Sequence, residues 1–389
     1  MQTKLRLSID AQEFKSAITG LKNSISKKAN GDILLYALIE RDFSNSNLIS
    51  IETTKLDLWI TKKVTTLNTV EDFSKIALYF SDLEALVKLI KLAKNETASV
   101  TVEEYDDDYI GEFKGTFVKI KKYNFTAPYV VNFPKSPKHN DSGVMCLVDY
   151  KSISSGINCI KYAVSKDKTK RIFTGINLDA KNQKIQATDG LRMAYTEIET
   201  KENNGDVIFT SSQLEAAINS FASENKDLRL RLYKNECCEY FQISGHNTIA
   251  TGITYSGDPY LNLADFLPTR NMANMEFETS VLKELLEVSC NIVGSAKLDT
   301  YLDISVRNNK LATFSINESK ISKEIPCKAS HDLEVTFKLD VLMDTVKFHK
   351  GKLFTITHPL PGDMTISCAV KDEKTVRILA RCERTKNNN

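Results

Sequence analysis

The residues of this chain that could do chemistry are few and scattered. "KIQATDGLRMAYTEIE" (184–199) sets Asp189 in an Asp-Gly pair between two alternating runs, with Thr188 before it and Arg192 after it. A carboxylate there would serve as a general base only with a partner in hydrogen-bond reach, and none stands nearby in sequence. Asp106, Asp107 and Asp108 form an acidic run that could hold a cation, although three adjacent acids between strands ordinarily make a solvated loop. His139, His246, His331, His349 and His358 lack metal-ligand spacing. No glycine-rich phosphate loop, dinucleotide fingerprint, nucleophile elbow or His-Glu-x-x-His pattern occurs. No cofactor and no metal is expected. An enzyme built on Asp189 or on Asp106–Asp108 is the weaker class.

The composition bounds the rest. With 389 residues, 42% apolar and 26% charged, the chain is of soluble globular type and long enough for two or three domains. No apolar run of ~18 residues suggests a membrane span, and the first ten residues have no signal-peptide core. Eight cysteines are spread thinly without a Cys-x-x-Cys, which fits a reduced, cytoplasmic protein. Net charge is only +2, so nucleic-acid binding must be argued from where the charges sit.

Six segments carry a helical stripe of apolar residues. They are "DAQEFKSAITGLK", "SDLEALVKLIKLAK", "DYKSISSGINCIK", "SSQLEAAINSF", "SVLKELLEVSC" and "LDVLMDTVKFHKG". Asp10 and Glu13 make a capping-box pattern at the first. The stripes begin at Phe14, Leu83, Ile153, Leu214, Leu282 and Leu342, spaced by 69, 70, 61, 68 and 60 residues. Near-equal spacing of like elements marks an internal repeat. Short alternating strands fill the intervals. "ALYFSDLEALVKLI", "VIFTSSQLEAAINSF" and "VTFKLDVLMDTVKF" resemble one another at offsets of 131 and 128, so the half-units pair. Three domains follow, at 1–128, 142–262 and 274–389, with proline-bearing linkers at 126–143 and 262–274. The fold class expected is α+β, helices covering one face of antiparallel sheet, built three times.

Positions opposite the stripes read Lys15, Thr19, Lys22; Glu84, Lys88, Lys91; Ser154, Asn158, Lys161; Glu215, Asn219, Ala222; Lys283, Glu287, Cys290; Met343, Lys347, Lys350. Lysine outnumbers acid eight to three on these faces, while the whole chain is nearly balanced. Lysine without interleaved aromatics suits sequence-independent contact with a phosphate backbone, although solvated helix faces are often lysine-rich for no such reason. The fourth helix has no lysine at these positions. The DNA-facing set extends to Lys27, Lys28, Lys170 and Arg171.

Asp-Gly between alternating runs is a strong hairpin signal, because both residues tolerate the positive φ of a tight turn. Leu191 and Met193 beside it are apolar where a wet turn is expected, which suggests a docking surface. "ATDGLRMA" resembles the Ala-Thr-Asp-Gly-His-Arg-Leu-Ala signature of bacterial sliding clamps, the β subunit of DNA polymerase III. "RIFTGINLD" is similar to that family's preceding strand, and "DFLPTR" to its linker into the third domain. The likeness runs over the whole chain in element order.

The resemblance implies three tandem two-layer clamp domains, sheets outside and two helices each inside, with two chains closing head to tail into a ring around duplex DNA. It implies a non-enzymatic processivity factor whose partners are duplex DNA without sequence preference, the replicative polymerase, a clamp loader, other proteins with clamp-binding motifs, and a second copy of the chain, but no membrane. The partner groove it implies comprises Phe173, Thr188, Gly190, Leu191, Arg192, Met193 and Phe266, with the last strand at Ile378, Leu379 and Ala380. The dimer contact it implies sets Ile292 and Val293 against Phe117, Val118 and Ile120 of the second chain. Leu191 replaces the family histidine, "ILARCERTKNNN" replaces the proline-bearing C-terminus, and "KKANGDILL" departs in the first domain, so a divergent member with a more apolar peptide preference is expected. A clamp-derived scaffold that binds proteins without encircling DNA is the alternative.

Overall fold

The computed structural model describes residues 6–26, 32–68, 75–92, 98–105, 108–123, 133–137, 144–201, 205–224, 226–234, 238–255, 259–267, 272–294, 300–308, 310–316, 321–359, 367–372 and 374–380. Lys27, Lys28, Asp106 and Asp107, and the C-terminal tail from 381, lie outside the described residues.

Six α-helices occur among the described residues: α1 (Ala11–Leu21), α2 (Phe80–Leu92), α3 (Tyr150–Ile160), α4 (Ser211–Ser220), α5 (Thr279–Val293) and α6 (Leu339–Lys347). Each follows directly on a strand and leads into a three-strand antiparallel meander. The apolar stripes are the buried faces: Phe14, Ala17, Ile18 and Leu21 on α1, Leu83, Leu86, Val87 and Ile90 on α2, and Leu282, Leu285 and Leu286 on α5. Asp10 caps α1, its carboxylate accepting from the amides of Gln12 at 2.9 Å and Glu13 at 3.0 Å. The reciprocal half of the expected capping box is missing, because the Glu13 carboxylate accepts from the Thr65 amide at 2.7 Å instead.

The half-units exchange strands. Arg6–Asp10, which leads into α1, pairs with Ser99–Tyr105, which follows α2; Lys75–Tyr79, leading into α2, pairs with Tyr36–Arg41, following α1. The same exchange links the half-units of α3 and α4 and those of α5 and α6. Neither half-unit of a pair can complete its sheet alone, which explains why the sequence repeats in doublets.

The chain divides into two compact units, Met1–Ser154, Glu199–Gly205 and Ser212–Ser256 in one, Ser155–Ile198, Asp206–Ser211 and Gly257–Asn389 in the other. The first holds a four-stranded sheet ending at Thr116–Ile120. It also holds a nine-stranded sheet in which the meander after α1 and the meander after α4 join edge to edge, Leu58–Thr65 against Thr248–Tyr255. The second repeats the plan. Its four-stranded sheet ends at Ile321–Pro326, and its nine-stranded sheet joins Arg192–Glu197 to Thr375–Ala380. The cut falls inside 142–262, so compactness alone does not isolate three bodies; the strand exchange groups the half-units in pairs.

Candidate functional site

The hairpin around Asp189 lies in the second unit. Strands Lys184–Thr188 and Arg192–Glu197 pair with Thr188 opposite Met193, and the Asp189 amide donates to the Arg192 carbonyl at 3.2 Å. Gly190 has φ +92°, whereas Asp189 and Leu191 keep negative φ. The Asp-Gly pair is thus not the double positive-φ turn expected from its composition. Gly190 and Leu191 are the central residues, and glycine alone supplies the left-handed position.

Asp189 holds this tip together. Its Oδ1 accepts from the amides of Leu191 at 2.9 Å and Arg192 at 3.0 Å, and its Oδ2 accepts from Arg192 Nε at 2.9 Å. Thr188 is buried beneath the turn, its hydroxyl accepting from the Gly190 amide at 3.0 Å and donating to the Arg192 carbonyl at 3.0 Å. With its carboxylate so engaged, Asp189 is an orienting group, and Thr188 supports the tip rather than walling a groove.

Arg192 differs from its sequence-level role. The resemblance places it in the partner groove. Instead it is buried, bridging Asp189 and Asp344 of α6, with Nη1 2.6 Å from Asp344 Oδ2. Burial, the largest influence, works against its charge, but Asp189 and Asp344 outweigh it and raise its pKa above the usual arginine value. Asp344 was not singled out in the sequence, since nothing local links residues 152 positions apart.

Met193, Ile378, Val376 and Leu263 form a buried apolar cluster, with Tyr195, Leu261 and Leu267 packed against it. Leu191 stands 42% exposed at the tip and Phe266 36% exposed on the linker. Phe173, partly exposed, is placed so that a Cβ on Gly190 would lie 3.6 Å from its ring. The Ala380 amide donates to the Leu191 carbonyl at 2.9 Å, tying the last strand to the tip. Leu379 is a correction. Strand alternation turns it away from Ile378 into the core around α5 and α6, where it is fully buried. Sequence reasoning missed Leu263 and Val376, each an ordinary aliphatic residue of linker or strand.

Of the basic set, Lys22, Lys88, Lys91, Lys170, Arg171, Lys283, Lys347 and Lys350 are exposed, while Lys15 and Lys161 are half-buried. Lys22 pairs with Glu84 at 2.8 Å, and Lys15 donates to Gln12 at 3.4 Å. At the expected dimer contact, Phe117 is 65% and Ile292 58% exposed. Val118 is half-buried, and Val293 packs partly against the core of its own unit. Ile120 is fully buried, so it belongs to the core beneath its own strand, and the exposed side chains of that edge are Thr116, Phe117 and Lys119. No group of His, Cys, Asp and Glu stands in metal-binding geometry among the described residues.

Residues 147–251 match the family described as DNA polymerase III beta subunit, central domain. Three solved structures share the fold of essentially the whole chain. The beta subunit of Thermotoga maritima is 13% identical with TM-score 0.78, covering 98% of this chain and 100% of its own. That of Streptococcus pyogenes is 16% identical with TM-score 0.79, covering 97% and 100%. A sliding clamp of Pseudomonas aeruginosa bound to griselimycin is 12% identical with TM-score 0.79, covering 98% and 100%. A search of curated proteins by sequence found no match. The resemblance seen in "ATDGLRMA" is borne out, at low identity throughout, and the fold is that of the bacterial sliding clamp.

Proposed function

We propose that this chain, a divergent relative of the bacterial DNA polymerase III beta subunit, is a sliding clamp of three domains: a non-enzymatic ring that encircles duplex DNA and tethers a polymerase and other DNA-handling proteins. The observation that carries the reading is the fate of the six meander edges. The last strand after α1 pairs with that after α4, and the last strand after α3 with that after α6. The last strands after α2 and α5, Thr116–Ile120 and Ile321–Pro326, pair on their outer sides with no strand among the described residues. They are unlike edges at which the chain's own pattern calls for one more junction. Supplied by a second copy, that junction is heterologous, and two of them close a cyclic dimer.

The helix lysines support DNA as the contents of the ring, since a backbone contact needs cations and no base readout. The groove of Phe173, Leu191, Met193, Phe266 and Ile378 supports a docked apolar peptide, in keeping with the griselimycin-bound relative from Pseudomonas aeruginosa. Retention on DNA tests the reading. The protein, loaded onto nicked circular duplex, remains bound through gel filtration, and cutting the circle releases it. Equal retention on linear duplex, or none on circles, would leave a protein scaffold as the better description.

A further inference from the structure

The rim of the proposed groove is open and its floor is closed. Leu191 and Phe266 are exposed and Phe173 is partly so. Met193, by contrast, is only 9% and Ile378 only 1% exposed. Apart from Tyr195 of the same strand as Met193, the side chains that close this cluster over Met193, Val376 and Ile378 are Leu261, Leu263 and Leu267. A peptide cannot reach Met193 or Ile378 while these leucines lie on them. The two sides of the contact are held differently. Met193 and Ile378 sit opposite each other in paired strands, fixed by the ladder. The leucines belong to the linker between Thr248–Tyr255 and Met272–Glu278, and residues 261–267 pair with no strand among the described residues. The linker makes one 3-10 turn, Leu263–Phe266. That turn is closed by bonds of its own: the Asp265 amide donates to the Asn262 carbonyl at 3.1 Å, and Asn262 Nδ2 donates to Asp265 Oδ1 at 2.8 Å. Towards the sheet, Gln186 Nε2 donates to the Leu261 carbonyl at 3.5 Å, the limit of hydrogen-bond range.

We infer that the linker at 261–267 is a self-docked lid, which covers Met193, Val376 and Ile378 in the free chain and which an apolar partner peptide displaces in order to bind. The inference rests on the docking groove proposed above and adds its regulation. Leucine burial is non-directional, so a ligand offering comparable apolar surface can take the place of the lid without reproducing its contacts. Segments held by side-chain burial rather than by a strand ladder open locally at lower cost than the sheet beneath them. Because the binding-competent state is the one with the lid lifted, apparent affinity is reduced by the fraction of time the lid is open. The lid therefore selects for peptides apolar enough to replace its leucines. A fixed wall would border the floor and leave Met193 and Ile378 accessible.

The test is hydrogen exchange read by mass spectrometry on the full-length wild type, with and without a saturating Gln-Leu-x-Leu-Phe-type peptide. With peptide bound, residues 261–267 exchange faster than in the free chain, while the tip at 189–193 exchanges more slowly. A second measurement weakens the lid directly. Leu261 and Leu267 are only partly buried, so Leu261→Ser combined with Leu267→Ser leaves Leu263 to seal the cluster. By fluorescence anisotropy this variant binds the same peptide about tenfold more tightly, because its groove is open more of the time. If the wild type binds the peptide but 261–267 exchanges more slowly or at an unchanged rate, the linker is a fixed wall; the groove stands and the lid is overturned. Unchanged or weaker affinity in the double variant overturns the lid in the same way. No binding to wild type or variant at millimolar peptide overturns both the lid and the groove.

Discussion

Leu56 stands at the hairpin tip of the first unit where Gly190 stands at that of the second, and both have positive φ, 75° and 92°. The surrounding bonds repeat. Thr54 and Thr188 are fully buried, and each hydroxyl accepts the amide two residues on, at 2.9 and 3.0 Å. Each tip closes with one backbone bond of 3.2 Å, Lys55 to Leu58 and Asp189 to Arg192. The left-handed position suits glycine and costs another L-residue about 1–2 kcal/mol. Leu56, 52% exposed, gains little packing in return. Leu56→Gly therefore stabilises by about 0.5 kcal/mol after the entropy cost of glycine. Gly190→Ala destabilises by about 1 kcal/mol through backbone strain, since its new Cβ would meet nothing closer than 3.6 Å. Urea midpoints decide it, and equal shifts in the two variants would mean the tips are not equivalent.

Arg192 is a structural pin rather than a ligand hand. Removing it leaves Asp189, largely buried, without its counter-charge, whereas Asp344 is 39% exposed and can turn to water. Arg192→Ala is expected to cost about 2 kcal/mol and Asp344→Ala about 1 kcal/mol. In a double-mutant cycle the pair couples by about 1 kcal/mol. Strict additivity in chemical denaturation would show that the 2.6 Å contact does not stabilise the tip.

The six helices were legible because their stripes at 14, 83, 153, 214, 282 and 342 have one period and one spacing. The doublet repeat was legible from the like segments before α2, α4 and α6. Strand exchange between half-units was not, because Arg6 pairs with Glu103 and Gly175 with Thr210, separations that no local pattern encodes. The hairpin around Asp189 was half legible. Its tip carries a recognisable octapeptide, but the fate of Arg192 depended on Asp344, and the facing of Ile378 and Leu379 on which way an alternating strand was turned. Thr54 to Leu58 went unnoticed as a second tip because "TKLD" contains no glycine to announce a left-handed residue.

Alkali should unfold the protein steeply. Burial pushes the phenols of Tyr109, Tyr162 and Tyr233 up to about 12. Unfolded, they ionise near pH 10. Between about pH 10 and 12 the folded state holds protons that the unfolded state has released, so stability falls as pH rises through that window. Each phenol contributes about 2 kcal/mol to the loss. Tyr162→Phe keeps the ring stacked on Phe348, 5.0 Å away between centroids. It should move the alkaline midpoint upward while changing neutral stability little. An unmoved midpoint by circular dichroism would assign the transition to other groups.

The lysine faces predict graded salt effects. Lys88, Lys283 and Lys347 are exposed, and no ion pair involves them among the described residues. Reversal of each to glutamate should weaken DNA retention and flatten the log–log salt dependence by about 0.9 for every phosphate that is no longer neutralised. Lys22 is already paired to Glu84, so Lys22→Glu should flatten it less. Identical slopes for wild type and the Lys88, Lys283, Lys347 triple variant would mean these lysines serve solvation alone.

The groove predicts which residues anchor a peptide and which only hold the fold. Met193 is nearly buried in the cluster with Leu263, Val376 and Ile378, and its flexible thioether can adapt to different partner side chains. Phe173 is partly exposed beside Gly190, where the missing side chain lets a ligand backbone approach closely. Peptide binding concentrates in such apolar anchors, so Met193→Ala and Phe173→Ala should each cost about 2 kcal/mol of affinity for a Gln-Leu-x-Leu-Phe-type peptide. Leu379 sits one residue from Ile378 but faces the core, so Leu379→Ala should cost about 3 kcal/mol of fold stability. In the fraction that remains folded, it should leave peptide affinity nearly unchanged. Fluorescence anisotropy with a labelled peptide, run beside urea denaturation of the same variants, separates the two effects. Unchanged affinity in both Met193→Ala and Phe173→Ala would place the docking site elsewhere on the chain.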